Sequence, residues 1–259
     1  MPWVFRGLRE GIVTTRYPRR PDHYANSFPA RVVPREDPPS EDGDLGRLCP
    51  TGAISTGPVR VDAGRCVLCG LCVRERPDVF EWRPGSETAT LRRSGLSVPP
   101  LEEDDDQLDR VRTALAERTR AFRRSIHVRH VDAGSDGTEE WEILALLNPV
   151  YDVHRLGIFF TPSPRHADVL LLTGAGAHGM AEPVRRSLEA TPRPAVVIAA
   201  GVDAISGGLL APSYAVSAGV GELADVDIWV PGAPPSPFSL LFALLLAMGR
   251  LPEESGRAR

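Results

Sequence analysis

Four cysteines within 24 positions constrain the fold of this 259-residue chain more than any other feature of its sequence. Three of them recur at every third residue, as Cys66, Cys69 and Cys72, and the fourth is Cys49. This spacing is too tight for a disulfide framework, because a disulfide needs Cα separations and Cβ directions that one short turn does not offer. The cysteines therefore indicate metal ligation.

The run from Cys66 to Cys72 is the C-x2-C-x2-C arrangement that holds three corners of an iron–sulfur cube. In the bacterial two-cluster pattern, a cluster takes its fourth ligand from a cysteine that precedes a proline in another run. Cys49-Pro50 is such a position, although the places three, six and nine residues before it hold no cysteine. A structural zinc site is the alternative, but such sites usually show paired C-x2-C knuckles. We predict one 4Fe-4S cluster on Cys49, Cys66, Cys69 and Cys72.

Charge and hydropathy argue against two classes of function. The net charge is −4 and no face is dominated by basic residues, so we expect no nucleic-acid partner. The longest apolar run, 238–248, is well short of the roughly 18 residues that a membrane span needs. Charged residues such as Arg6 and Glu10 stand where a signal peptide is apolar. We therefore expect a cytoplasmic protein without a transmembrane segment of its own.

The first half of the chain divides into three predicted parts. Residues 1–35 form a basic arm that packs on its own chain or on a partner, or else binds an anionic membrane surface. Residues 36–100 form the cysteine domain, which opens with an acidic, proline-containing linker over 36–44. Residues 101–125 form a linker helix, whose acidic start and arginine-rich end match the charge order that the helix dipole favours. The predicted apolar face of the arm consists of Trp3, Phe5, Leu8 and Ile12.

The second half alternates short apolar runs with helical patterns. Continuous runs of Val, Ile and Leu separated by helices predict an α/β domain, over 126–252, with a mostly parallel sheet that is covered on both faces. Residues 253–259 are a short tail. The predicted strands are 126–131, 156–160, 169–172, 196–199 and 226–230. The predicted helices are 142–147, 181–189 and 238–248.

Several stretches of this second domain are distinctive, namely 142–158 (EILALLNPVYDVHRLGI), 163–174 (SPRHADVLLLTG), 206–208 (SGG) and 230–237 (VPGAPPSP). On these stretches, residues 131–252 resemble the small electron-transfer subunit shared by respiratory complex I and the membrane-bound, energy-converting nickel–iron hydrogenases, including formate hydrogenlyase. Residues 11–18 (GIVTTRYP) look like the arm of the associated ferredoxin-type subunit. The chain thus resembles two subunits fused: a ferredoxin-like cluster module followed by a flavodoxin-like α/β domain.

The resemblance also shows a loss. In that family, four cysteines of the α/β domain hold the cluster nearest the large subunit, and the matching positions here are Asp136, Glu139, Asp203 and Ala233. Carboxylates do not replace thiolates around an iron–sulfur cube, so we predict no cluster in this domain. Two interpretations of the acids stay open. They meet in the emptied pocket and bind a hard cation or relay protons, or they are a hydrated remnant that faces water or pairs with arginine.

A glycine-rich motif offers another interpretation. Gly174-Ala-Gly-Ala-His-Gly179 follows a predicted strand and opens a helix, as a dinucleotide-binding loop does, and Asp203 after the next strand is placed to serve a ribose. The resembling family has the same strand, turn and helix without a nucleotide, which weakens this interpretation. The six histidines show no ligand spacing, and we expect structural roles for them.

Together, these features predict an iron–sulfur electron-transfer or architectural subunit, without an active site of its own, in a membrane-bound hydrogenase-like or complex I-like oxidoreductase complex. The resemblance implies a large subunit and membrane subunits as partners. It also implies a peripheral position on the inner face of the cell membrane, held through those partners. The alternatives are a non-redox scaffold with a structural cluster, and a dinucleotide-binding oxidoreductase that uses residues 174–179.

Overall fold

A computed structural model describes residues 3–22, 27–36, 45–100 and 105–251 of the protein. The predicted linker after Glu36, the first residues of the predicted linker helix and the predicted tail lie outside the described residues. The arm begins with helix α1, Trp3–Glu10, which ends before Ile12 of the predicted apolar face.

The cysteine module is built from short elements around a small apolar core that includes Val32, Val61 and Phe80. Strand β1 pairs antiparallel with β4, and strands β2, β3 and β5 form a second antiparallel sheet in that order. Strand β1 lies in the last residues of the predicted arm, so part of that arm belongs structurally to the cysteine module. The elements are β1 (Pro29–Pro34), β2 (Ile54–Ser55), β3 (Arg60–Asp62), α2 (Leu71–Glu75), β4 (Phe80–Pro84) and β5 (Ser97–Val98).

Helix α3, Asp105–Arg118, leads into the second domain, whose five strands are all parallel. Their order in the sheet is β10-β9-β8-β6-β7, which confirms the predicted α/β class and the parallel sheet. The strands are β6 (Ile126–Asp132), β7 (Ile158–Phe160), β8 (Val169–Thr173), β9 (Val196–Ala200) and β10 (Ile228–Val230). The helices are α4 (Thr138–Ala145), α5 (Ala181–Ala190), α6 (Val202–Ser206) and α7 (Pro237–Ala247).

Both faces of this sheet are covered, as the continuous apolar strands require. One core cluster joins α7 and the end of α3 to one face, and a second cluster joins α5 and α6 to the other. Ten of the eleven residues of α7 are buried, so its all-round apolar sequence matches a core helix. None of the described helices is long and apolar enough to cross a membrane.

Helix α4 begins at Thr138, four residues before its predicted start. Gly137 precedes it in the left-handed conformation, with φ 92°, and Glu139 and Glu140 lie in its first turn. Carboxylates at this end are favourable because the N-terminus of a helix carries partial positive charge. The earlier start places both glutamates at the carboxyl ends of the parallel strands.

The cysteine module packs directly on the second domain. Thr90 and Trp229 exchange two backbone hydrogen bonds of 2.9 and 2.8 Å. Gly64, two residues before Cys66, lies so close to Ile205 of α6 that an added Cβ atom would stand 2.7 Å from its Cγ2. The module therefore contacts the helix that carries Asp203.

Candidate metal centre

The loop that carries three of the cysteines has an unusual backbone. Leu68 has φ 55° and Gly70 has φ 72°, so two left-handed residues flank Cys69 before α2 begins at Leu71. A left-handed conformation is rare for leucine and marks a local constraint, often at a functional site. Alternating right- and left-handed residues turn successive N–H groups towards one concavity, as in many phosphate and iron–sulfur sites.

Cys49 comes from a separate segment that also presents a backbone donor. It follows a 3-10 turn over Leu45–Leu48, and its sulfur accepts a hydrogen bond of 3.2 Å from the N–H of Ala53. The hydroxyl of Thr51 stands 3.4 Å from the same sulfur. These contacts within the protein orient the Cys49 side chain.

All four cysteines line one cavity, although Cys49 is remote from the run in sequence. Cys66 is buried, Cys49 and Cys72 are half-buried, and Cys69 is exposed. Within the described residues, no group of three or more His, Cys, Asp or Glu side chains is arranged to hold a metal ion. Apolar side chains complete the wall of the cavity, among them Val32, Leu48, Ile54, Val61 and Val67.

The electrostatics of the cavity resist four free thiolates. Burial raises the pKa of Cys66 to about 11; the N–H of Leu68 opposes this rise, and the other three cysteines add to it. Burial also raises the pKa of Cys72, where the N–H of Val73 opposes the rise. Since metal ligation requires thiolates, a bound cationic centre would stabilise the charge that this cavity otherwise disfavours.

The donor set fits an iron–sulfur cluster. Four sulfurs are soft ligands, which select iron–sulfur clusters, zinc or Cu(I) over hard cations. In a cubane each thiolate binds a different iron atom, so the ligands surround a space, and N–H groups aimed at the sulfurs tune the potential. Cys49 and the three cysteines of the run would hold such a group.

The second domain brings together the three acids that the resemblance placed at cysteine positions. The carboxylate of Asp203 in α6 helps to raise the pKa of Glu139 in α4, and the carboxylate of Asp136 helps to raise the pKa of both. The N–H of Val202 donates a hydrogen bond of 2.8 Å to the carbonyl of Gly232, which places the start of α6 beside Ala233. The three acids and Ala233 therefore lie near one another, as the sequence predicted.

The pKa values of these acids are shifted in different directions. Burial raises the pKa of Glu139, which is 2% exposed, to about 7, and the Asp203 carboxylate contributes. Burial also raises the pKa of Asp203, whereas hydrogen bonds from Thr138 lower that of Asp136. The described acids do not form a metal-holding group. The hard-cation interpretation stays a prediction, and protonation of Glu139 as the pH falls through about 7 relieves part of the repulsion between the acids.

A polar network beside this pocket was not predicted from the sequence. The hydroxyl of Thr173 donates a hydrogen bond of 2.7 Å to Oε1 of Glu140. The hydroxyl of Ser135 donates a hydrogen bond of 2.8 Å to Oε2 of the same carboxylate. The Nε2 atom of His130 lies 2.8 Å from the Thr173 hydroxyl and 3.1 Å from the Glu140 carboxylate. The sequence signal for this network was the polar Thr173 at the end of the otherwise apolar strand β8.

The glycine-rich loop does not offer an open phosphate site. Gly174 and Gly176 are both buried. A Cβ atom added at Gly174 would lie 2.5 Å from the backbone nitrogen of Ser135, and one added at Gly176 would lie 2.3 Å from the hydroxyl oxygen of Ser217. The glycines are thus required by close packing of the chain on itself. This geometry does not favour the dinucleotide alternative.

Replacing Gly174 with alanine should lower the free energy of unfolding by about 2 kcal/mol or more, because its φ of 80° is strained for alanine and no room exists for the methyl group. Gly179 of the same motif is the matched control. It lacks a positive φ and has nothing within 4 Å, so its alanine variant should change little. Urea denaturation of both variants measures the difference, and equal unfolding free energies would contradict the packing argument.

Comparison with known proteins agrees with this architecture. Residues 137–247 match the family model described as the 20 kDa subunit of NADH ubiquinone oxidoreductase. The chain is 35% identical over 161 residues to formate hydrogenlyase subunit 7 of Escherichia coli, covering 62% of this chain and 61% of that protein. It is 36% identical over 148 residues to a probable membrane-bound hydrogenase subunit of Pyrococcus furiosus, covering 57% of this chain and 89% of the relative.

A third relative, an uncharacterized protein of Methanocaldococcus jannaschii, is 40% identical over 123 residues, which cover 48% of this chain and 82% of that protein. A solved structure of the membrane-bound sulfane sulfur reductase, an archaeal respiratory membrane complex, aligns with a TM-score of 0.45 and 27% identity over 53% of this chain and 77% of that one. The chain spans about three fifths of the length of the Escherichia coli relative.

The parallel α/β domain and these matches define a class, the small subunits of complex I-type and nickel–iron hydrogenase-type oxidoreductases. The chain belongs to the family of the 20 kDa subunit of NADH ubiquinone oxidoreductase.

Proposed function

We propose that this chain is an electron-transfer subunit of a membrane-bound, hydrogenase-like or complex I-like oxidoreductase complex, and that it carries one 4Fe-4S cluster. The observation that supports the cluster most directly is that cysteines from two separate segments line one cavity. Cys49, Cys66, Cys69 and Cys72 are the ligands in this proposal. The cluster supplies reversible one-electron transfer when it is bound.

The chain's own residues prepare that site. The backbone N–H groups of Ala53, Leu68 and Val73 donate to cysteine sulfurs, which stabilises their anionic form. Apolar walls keep water from the buried side, where Cys66 lies. The exposed Cys69 leaves one edge open, and we infer that an electron donor or acceptor approaches there.

The partners are proposed to be a large subunit of hydrogenase or complex I type and the membrane subunits of the same complex, which would hold the chain at the inner face of the cell membrane. Relatives named as subunits of such complexes support this assignment. Large exposed apolar side chains occur on α4, at Trp141 and Leu144, and after α6, at Leu209, Leu210 and Tyr214. Since α4 and α6 carry the neighbouring acids Glu139 and Asp203, these side chains mark the face that the large subunit would cover.

One observation favours a second candidate function, a scaffold whose cluster is structural. No cysteine follows Cys72, so the second domain has no thiolate ligand for a further cluster. An electron that passes from the cysteine module to a large subunit would find no intermediate iron–sulfur cluster in this domain.

Electron paramagnetic resonance of the anaerobically purified complex separates the two functions. The electron-transfer proposal predicts a signal that appears on reduction with dithionite and disappears on reoxidation, over repeated cycles. A cluster that is present by its visible absorption but resists reduction would support the scaffold. Nucleotide recovered in stoichiometric amount from the same sample would instead support the dinucleotide alternative.

A further inference from the structure

Helix α1 (Trp3–Glu10) displays apolar side chains that no part of the described structure covers. None of its residues is buried. Trp3, Phe5 and Leu8 are 84%, 60% and 76% exposed, and the exposed apolar surface continues beyond the helix at Ile12 and Val13. So many large apolar side chains on one short segment mark a contact with another surface.

The arm is fixed to the second domain directly after this helix. The hydroxyl of Thr14 and the N–H of Thr15 each donate a hydrogen bond of 2.8 Å, to the carbonyls of Pro149 and Val150. The ring of Tyr17 is buried, and its hydroxyl donates 2.9 Å to Glu87. Helix α1 is thus presented from a fixed place on the folded protein.

The helix is also amphipathic. Leu8 lies one turn after Val4 and three residues after Phe5, so these apolar side chains share one side. Arg6 and Arg9 are three residues apart and share another side, where Arg6 pairs with Glu10 at 2.8 Å.

Charge separates this segment from the rest of the protein. Residues 3–20 contain five arginines and one acid, a net charge of +4, whereas the whole chain carries −4. The arginines are Arg6, Arg9, Arg16, Arg19 and Arg20. A surface that complements this segment must offer apolar contact to the helix and a dense array of negative charge around it.

We propose that α1 lies in the interface of a membrane that contains anionic phospholipid, with its apolar side among the acyl chains and its arginines at the headgroup phosphates. A lipid surface supplies both complementary features at once, since bilayers place phosphates directly above hydrocarbon. The helix is only about 12 Å long, so it adds a second, weak attachment to the one made through partner subunits. This inference goes beyond the proposed function, in which partners alone hold the chain at the membrane.

Flotation of the full chain with lipid vesicles tests this inference. The chain should float with vesicles that contain phosphatidylglycerol but not with pure phosphatidylcholine, and added salt should weaken the binding. Arg6→Gln and Arg9→Gln should each lower the partition coefficient by roughly fivefold. Joint replacement of Phe5 and Leu8 by serine should abolish flotation. The matched control, Arg186→Gln, removes an arginine of α5 that is as exposed as Arg6 and pairs with a glutamate one turn away as Arg6 does, and this variant should bind as the unaltered chain does.

Flotation that is equal on both vesicle types, or that survives the Phe5 and Leu8 substitutions, would overturn the inference. The inference would also be overturned if the unaltered chain did not bind vesicles and the variant with Phe5 and Leu8 replaced lost its partner subunits. Helix α1 would then dock on a protein. The Cys49→Ser chain should still float, so a failure of the cluster assignment would be seen separately.

Discussion

Serine in place of Cys49 is expected to remove the iron–sulfur absorption of the purified protein as completely as serine in place of Cys69. The two positions look unequal in sequence, since Cys49 lies outside the triple run. In the structure they border the same cavity, and an N–H donor of Ala53 already orients the Cys49 sulfur. A cubane that lacks one of its four thiolates loses a ligand to one iron, so we expect iron content to fall from about four atoms per chain towards zero.

The same substitution should destabilise the cysteine module. Its apolar core is small, and binding free energy at a structural metal site is also folding free energy. Limited proteolysis should therefore cleave the module in the Cys49→Ser chain while the second domain resists. Thr56→Ala, an exposed position of the same module, is the matched control and should keep full absorption. Normal cluster content in the Cys49 variant would show that the remote ligand was assigned wrongly.

Replacing Glu139 with glutamine should stabilise the protein at pH 8 by up to about 3 kcal/mol, because the pKa of the buried carboxyl is raised from 4.5 to about 7. The folded state holds this proton more tightly than the unfolded state, so stability falls as pH rises from about 5 to 7. Glutamine has no proton to lose and keeps nearly the same shape. The Glu139→Gln variant should therefore not show this loss of stability as the pH rises.

Urea denaturation between pH 5 and pH 8 measures the effect. Glu222→Gln changes an exposed glutamate of the same domain and should follow the pH profile of the unaltered chain. If the Glu139 variant shows the same loss of stability with pH as the unaltered chain, the carboxyl does not titrate in a buried pocket. The hydrated-remnant interpretation of the acids would then be preferred.

The parallel domain was largely predictable from sequence. Strands buried on both faces must be apolar at every position, and β8 and β9 are buried throughout, so their runs stood out. Helix α7 was predictable for a similar reason, since an apolar stretch too short to span a membrane becomes a core helix. The cysteine spacing indicated the ligand set, and the structure places all four residues around one cavity.

Other features depend on contacts between distant segments, which periodicity does not report. Strand β1 pairs with β4, which lies about fifty residues later in the chain. The sequence of β1, PARVVP, does not alternate clearly between polar and apolar residues. The pKa of Glu139 depends on burial against Gly201 and on Asp203, neither of which is near it in sequence. The buried glycines of the 174–179 motif resembled a nucleotide loop because close packing and phosphate binding both demand glycine.

Chemical analysis of iron, acid-labile sulfide and zinc in the anaerobically purified chain tests the central claim most directly. One cluster on four cysteines predicts about four iron and four sulfide per chain, with no stoichiometric zinc. One zinc per chain without sulfide would contradict the cluster and assign the cysteines to a structural zinc site. About eight iron per chain would contradict the conclusion that the second domain, with its acids in place of cysteines, holds no cluster.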